Sequence, residues 1–104
     1  MTTCTIVLYA ETPHGEQWLG ARFPSAPRVI AWCDGSEIDG VVWAEGVRQA
    51  ARADGVRLSI GVAGRAPGER VASAVAAATE ACAHARRMGG DITIAHSALI
   101  SRAA

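Results

Sequence analysis

Between Val56 and Ala95 the hydrophobic period of the chain changes twice, and few folds can satisfy that order. From Val56 to Ala63 the residues alternate, so that Leu58, Ile60 and Val62 fall on one face of a strand. Gly64 to Gly68 reads as a loop. From about Glu69 to Met88 the apolar positions Val71, Val75, Ala78, Cys82 and Ala85 stand three or four apart, which is one stripe of a helix. The stripe consists mostly of small residues, so the helix must lie close to whatever it covers. Arg86 and Arg87 suit the negative end of a helix dipole, and Gly89-Gly90 stops the helix. Ile92 to Ala95 then returns to a β-branched strand.

Upstream, Cys4 to Tyr9 is β-branched and apolar and reads as a buried strand. Glu11 to Gly15 reads as a turn from its Pro and Gly. Gln17 to Phe23 fits a second strand, with Trp18 alternating against Gly20 and Arg22. Pro24 to Pro27 is a break, because each proline fixes φ and removes a donor. Arg28 to Cys33 is a further strand, and Asp34-Gly35 turns the chain. Ser36 to Asp39 forms a capping box at the start of a helix. That helix runs to about Ala53 with Trp43, Val47 and Ala50 on its apolar face, and Gly55 ends it. The expected fold is α+β, a ferredoxin-like or palm sandwich. It has a mixed sheet of about four to five strands with the two main helices on one face. Residues 1–104 form a single domain.

Composition excludes several classes of function. Of the 104 residues, ten arginines balance ten acids, and lysine is absent. There is no basic footprint for nucleic acid, and no lysine for a Schiff base or a phosphate. No apolar run reaches the length of a membrane span, and no basic segment precedes an apolar one to mark a signal peptide. Cys4, Cys33 and Cys82 are odd in number and widely spaced, with no paired C-x-x-C ligands. They read as reduced thiols of a cytoplasmic protein that needs no metal or cofactor.

The segment Arg57-Leu58-Ser59-Ile60-Gly61-Val62-Ala63, the helix ending Ala81-Cys82-Ala83-His84-Ala85-Arg86-Arg87-Met88-Gly89-Gly90, and the strand after it resemble the C-terminal half of a GGDEF domain. This is the palm-like fold of bacterial diguanylate cyclases. The likeness covers Val56 to about Ala95, and the palm of class III nucleotide cyclases is the second family it is similar to. Upstream, Trp32-Cys33-Asp34-Gly35-Ser36-Glu37-Ile38 aligns with the family's hairpin. Gly35 and Glu37 match, whereas Asp34, Ser36 and Ile38 replace the first glycine, the aspartate and the phenylalanine. In active members carboxylates of this hairpin and of the first strand hold two Mg²⁺. Here the first strand ends Tyr9-Ala10-Glu11. The stretch from there to the hairpin is too short for the helices that hold the guanine.

The resemblance therefore implies the fold and, through the missing residues, argues against the activity. No catalytic residue is assigned. Glu11, Asp34, Gly35 and Glu37 mark a vestigial nucleotide cleft. Arg65 and Arg70 flank the loop before the second helix, where an anion would meet free N–H groups. His14, His84 and His96 are scattered and lack nucleophilic partners. Three tryptophans are many for so small a core, and Trp18 on Gln17–Phe23 is the expected interface anchor. The expected role is protein–protein interaction or regulation, as a homodimer or with a protein partner. The alternatives are a sensor that binds a nucleotide weakly and a small enzyme of unrelated chemistry on the same scaffold.

Overall fold

The most continuous β-branched and apolar run, Cys-Thr-Ile-Val-Leu-Tyr, forms the central strand. In a computed structural model that describes residues 2–23 and 28–103, β1 spans Thr3–Ala10 and is buried along nearly its whole length. A strand with no solvent face needs a neighbour on each edge and a cover on each side. β2 (Arg28–Asp34) and β3 (Leu58–Arg65) flank it, both antiparallel, and β4 (Ile92–Ala95) runs parallel to β3. The order is β2-β1-β3-β4, a mixed four-stranded sheet in an α+β fold.

The register sorts the side chains into two faces. Ile6 opposes Ala31 and Val62, and Leu8 opposes Val29 and Ile60. These residues meet Ala44 and Ala51 of α2 (Glu37–Ala53) in the larger core. On the other face Val7 opposes Gly61 and Thr5 opposes Ala63, beneath Ala78 and Cys82 of α3 (Val71–Arg87). The two main helices therefore lie on opposite faces of the sheet, not on one as the sequence suggested. The reason is that both sides of β3 are buried: Ser59, Gly61 and Ala63 are small but fully enclosed.

Close approach explains the small residues. A Cβ on Gly61 would overlap the Ala78 carbonyl oxygen and the Cys82 nitrogen, so the backbone of α3 rests directly on β3. Across the sheet the vacancy belongs to the helix: a Cβ on Gly40 would stand 2.7 Å from Cys4 Sγ and 2.8 Å from a Val62 methyl. The buried stripe of α2 is Gly40, Ala44 and Ala51, while Trp43 is displaced to the rim, where it packs edge-on against Phe23. On α3 the buried positions are Ala74, Ala78, Ala81, Cys82 and Ala85, and Val71 is exposed.

The connections β2–α2–β3 and β3–α3–β4 both join parallel strands and both step in the same direction across the sheet. Since their helices lie on opposite faces, the two crossovers have opposite hands. One of them is the rare left-handed kind.

The segment expected as a second strand is a helix. α1 covers Pro13–Gly20, with Thr12 as N-cap accepting the Gly15 N–H at 3.0 Å and proline opening the first turn. Proline at N1 lacks only an N–H that would be unpaired there anyway, which makes Thr12-Pro13 a start signal and not a turn. A last helix, α4 (His96–Ala103), follows β4 without a break. The proline break at residues 24–27 lies outside the described residues. The expected capping box at Ser36 and Asp39 is present, and Gly55 takes a left-handed φ of 74° after the end of α2.

Ionic contacts fix α2 to the turn before β4. Arg48 bonds Glu45 at 2.6 Å and Asp91 at 3.3 Å, and Asp91 holds a positive φ of 55°. The hydrogen bond from Arg48 keeps the Glu45 carboxyl below its usual range.

Candidate functional site

Because β1 runs antiparallel to β2 and β3, the start of β1 shares one end of the sheet with the ends of the other two. Asp34, Gly35, Glu37 and Arg65 gather at that end. Gly35 has a φ of 116° and donates its N–H to the Thr2 carbonyl at 2.8 Å. A Cβ there would stand 2.5 Å from Asp39 Oδ2, so glycine is required for the capping box to close. Ser36 donates its N–H to Asp39 Oδ2 at 2.8 Å, and Asp39 returns an N–H to the Ser36 hydroxyl. The segment that aligned with a hairpin is thus a strand-to-helix junction.

Glu37, the first residue of α2, reaches across to α4. Its carboxylate accepts the Ser97 N–H at 3.3 Å and also the Ser97 hydroxyl. Free N–H groups and positive dipole at a helix start favour such an acceptor, so Glu37 pins α4 to α2. Arg65 is equally committed: its Nε donates to the Glu69 carbonyl at 2.8 Å, and Glu69 in turn accepts the Ala66 N–H at 2.9 Å. These contacts close the loop before α3 upon itself. Between them lies an open groove of about 570 Å³, lined by Glu37, Gly64, Arg65, His96 and Ile100. His96 Nε2 lies 3.5 Å from Glu80 Oε2. Arg70 is the N-cap of α3, exposed, and contributes no side-chain cap; it does not line this groove.

Glu11 stands at the opposite end, just past the last residue of β1. It contacts Arg86 Nε at 3.3 Å, and the Arg86 guanidinium stacks on the Tyr9 ring at 3.8 Å. Tyr9 and Glu11 are therefore occupied in holding α3 to the sheet. A smaller pocket of about 110 Å³ adjoins Glu11, with Arg57, Ser59 and Gly90 in its wall. With a strand of eight residues rising about 3.3 Å each between them, Glu11 and Glu37 cannot share an ion. The cleft expected from Glu11, Asp34, Gly35 and Glu37 is therefore not assembled, because Glu11 lies at the other end of β1. Among the described residues no group of three His, Cys, Asp or Glu side chains is placed to hold a metal ion.

Trp18 is not an exposed anchor. It is 8% exposed, and its indole donates to Asp54 Oδ2 at 2.7 Å while Arg22 stacks on the ring at 3.7 Å. It locks α1 onto the end of α2. Among the described residues the exposed large apolar side chains include Trp32 at 57% on β2, and Ile38 at 74% and Val42 at 69% one turn apart on α2. The sequence signal for Trp32 was its place on a strand that ends the sheet, which cannot be known before the strand order is known. Burial pushes the Cys4 thiol up to about 12 and the Cys82 thiol up to about 11, which disfavours the thiolate in both. Among the described residues no helix is long and apolar enough to cross a membrane.

No family model matches the chain, and neither a curated protein nor a solved structure proves similar to it.

Proposed function

We propose that this chain is a non-catalytic domain, a trimmed relative of the GGDEF palm, that acts by binding another protein chain in interaction or regulation. The observation that carries the reading is the use made of Glu37. This residue, the one carboxylate retained from the hairpin pattern, caps α4, and Glu11 lies a full strand length away in contact with Arg86. Both carboxylates serve packing, where a cyclase would need them free and adjacent for its metal ions. The exposed Trp32 on β2, and separately Ile38 and Val42 on α2, support association, because large apolar groups in contact with water favour burial against a partner. Three free thiols support a reducing, cytoplasmic setting.

The test is direct. Incubation with GTP or ATP and Mg²⁺ or Mn²⁺, followed by mass spectrometry, is expected to return the nucleotide unchanged. Formation of a cyclic product that is lost in Glu37→Ala would overturn the reading.

A further inference from the structure

The two edges of the sheet are not alike. β4 is four residues long and runs straight into α4, a short edge of the kind that resists further pairing. β2 is seven residues, Arg-Val-Ile-Ala-Trp-Cys-Asp, and among the described residues has a strand, β1, on one side only. No proline, lysine or inward-pointing charge interrupts it between Val29 and Cys33. Those are the devices by which edge strands are normally protected.

Its free hydrogen-bonding groups can be assigned. Gly35 donates to the Thr2 carbonyl, so these two residues form a hydrogen-bonded pair of the antiparallel ladder. Hydrogen-bonded and non-bonded pairs alternate from there. Cys33, Ala31 and Val29 therefore turn their backbone groups towards β1. Asp34, Trp32, Ile30 and Arg28 turn theirs outward, and these four also carry their side chains on the α3 face of the sheet.

Resting on the reading above, we propose that the partner is a second copy of this chain, docked edge to edge through β2 in an antiparallel pair whose two-fold axis passes between the Ala31 residues. In that register Arg28 faces Asp34 of the second copy, and Ile30 faces its Trp32, each twice. The parity is correct, since outward residues meet outward residues and exchange both N–H···O bonds. The charges are complementary: the only ionic side chains on the strand stand at its two ends with opposite sign, which a two-fold axis brings together. The half-exposed Trp32 gains an apolar neighbour directly across the new ladder. Shifting the register by two residues in either direction loses the ion pairs, so the strand specifies one alignment. The result is a continuous eight-stranded sheet built on an isologous interface.

Sedimentation equilibrium on the full chain reads the mass, which is expected to double between low and high micromolar concentration. Arg28→Asp sets like charges against each other at both ends and is expected to weaken the dimer about tenfold or more, as is Asp34→Arg. The double exchange, Arg28→Asp with Asp34→Arg, restores opposite signs and is expected to recover most of the affinity. Independently, Ala31→Cys in a Cys33→Ser background is expected to form an intermolecular disulfide on mild oxidation, because the two positions face each other across the axis. A chain that stays monomeric throughout, or a dimer indifferent to both exchanges and not cross-linked through position 31, would overturn the proposal. Either result leaves the non-catalytic reading intact with another partner, whereas nucleotide turnover sinks that reading whatever the mass.

Discussion

The two faces of β3 solve one packing problem in opposite ways. Towards α2 the strand presents Leu58, Ile60 and Val62, and the space for close approach is made by Gly40 on the helix. Towards α3 it presents Ser59, Gly61 and Ala63, and the helix answers with alanines, so backbone lies on backbone. The first face is held by buried apolar volume, which can be trimmed in steps. The second is held by shape, with little side chain to trim and no room to add any.

Breaking the second face is expected to have the largest effect. Gly61→Val places branched carbons inside the α3 backbone, and no rotamer relieves the overlap. Folded protein should be lost, read as absence of a cooperative thermal transition. Gly61→Ala should still cost about 3 kcal/mol or more in denaturant unfolding. On the first face Ile60→Ala leaves a cavity that its neighbours can partly fill. It should cost about 2–5 kcal/mol with the fold retained. If Gly61→Ala proved the milder of the two, the contrast between shape and volume would be wrong.

A smaller loss tests how α1 closes the volume-packed face. Trp18→Phe keeps most of the apolar contact and a ring beside Arg22 but gives up the indole hydrogen bond to the Asp54 carboxylate. A loss of about 1–2 kcal/mol is expected in urea melts, with the same mass as the native chain.

Each face also buries one thiol, Cys4 of β1 beneath α2 and Cys82 on the inner side of α3. Both ionise more readily in the unfolded chain. Stability is therefore full below the ordinary thiol value of 9.0 and falls as the pH climbs past it towards about 11 for Cys82 and about 12 for Cys4. Melting temperatures taken from pH 8 to pH 11 should show the decline, and Cys82→Ala should flatten it. A disulfide reagent at pH 8 should label the half-exposed Cys33 first. Rapid labelling of one further thiol would mean that its face opens, and of all three that both do. The smallest expected effect is a gain: Gly46→Ala, on the outer side of α2 with nothing within 4 Å of the new methyl, should add about 1 kcal/mol.

Much of the fold was legible in local pattern. β4 was bounded to the residue, and β1, β2, β3, α2 and α3 lay within a few residues of their observed ends. α1 was missed because Trp18, Gly20 and Arg22 alternate by accident, and the proline that opens a helix was read as punctuation. α4 is short and only half apolar, and joins β4 with no turn residue between them. The faces were misjudged because alternation shows a strand's sides only when one of them is polar, and β3 has no polar side. Small residues at Ser59, Gly61 and Ala63, matched to the alanine stripe of α3, were the signal. The candidate site failed for a different reason. A string such as Asp34-Gly35-Ser36-Glu37 carries no information about which end of the sheet it occupies. Glu11 and Glu37 were paired by analogy and parted by the direction of β1.

The central place of β1 has a consequence for how the protein is made. This strand leaves the ribosome before either of its neighbours. Its pairing with β3 waits until Leu58–Arg65 has been synthesised, and its cover on the second face waits for α3. Until then Ile6, Val7 and Leu8 have only half their burial available, and loop closure over that span must precede any stable sheet. Nearly the whole domain must therefore be free of the exit tunnel before it can fold, and chains stalled upstream of β3 carry an exposed, strongly β-forming segment of the kind that chaperones hold.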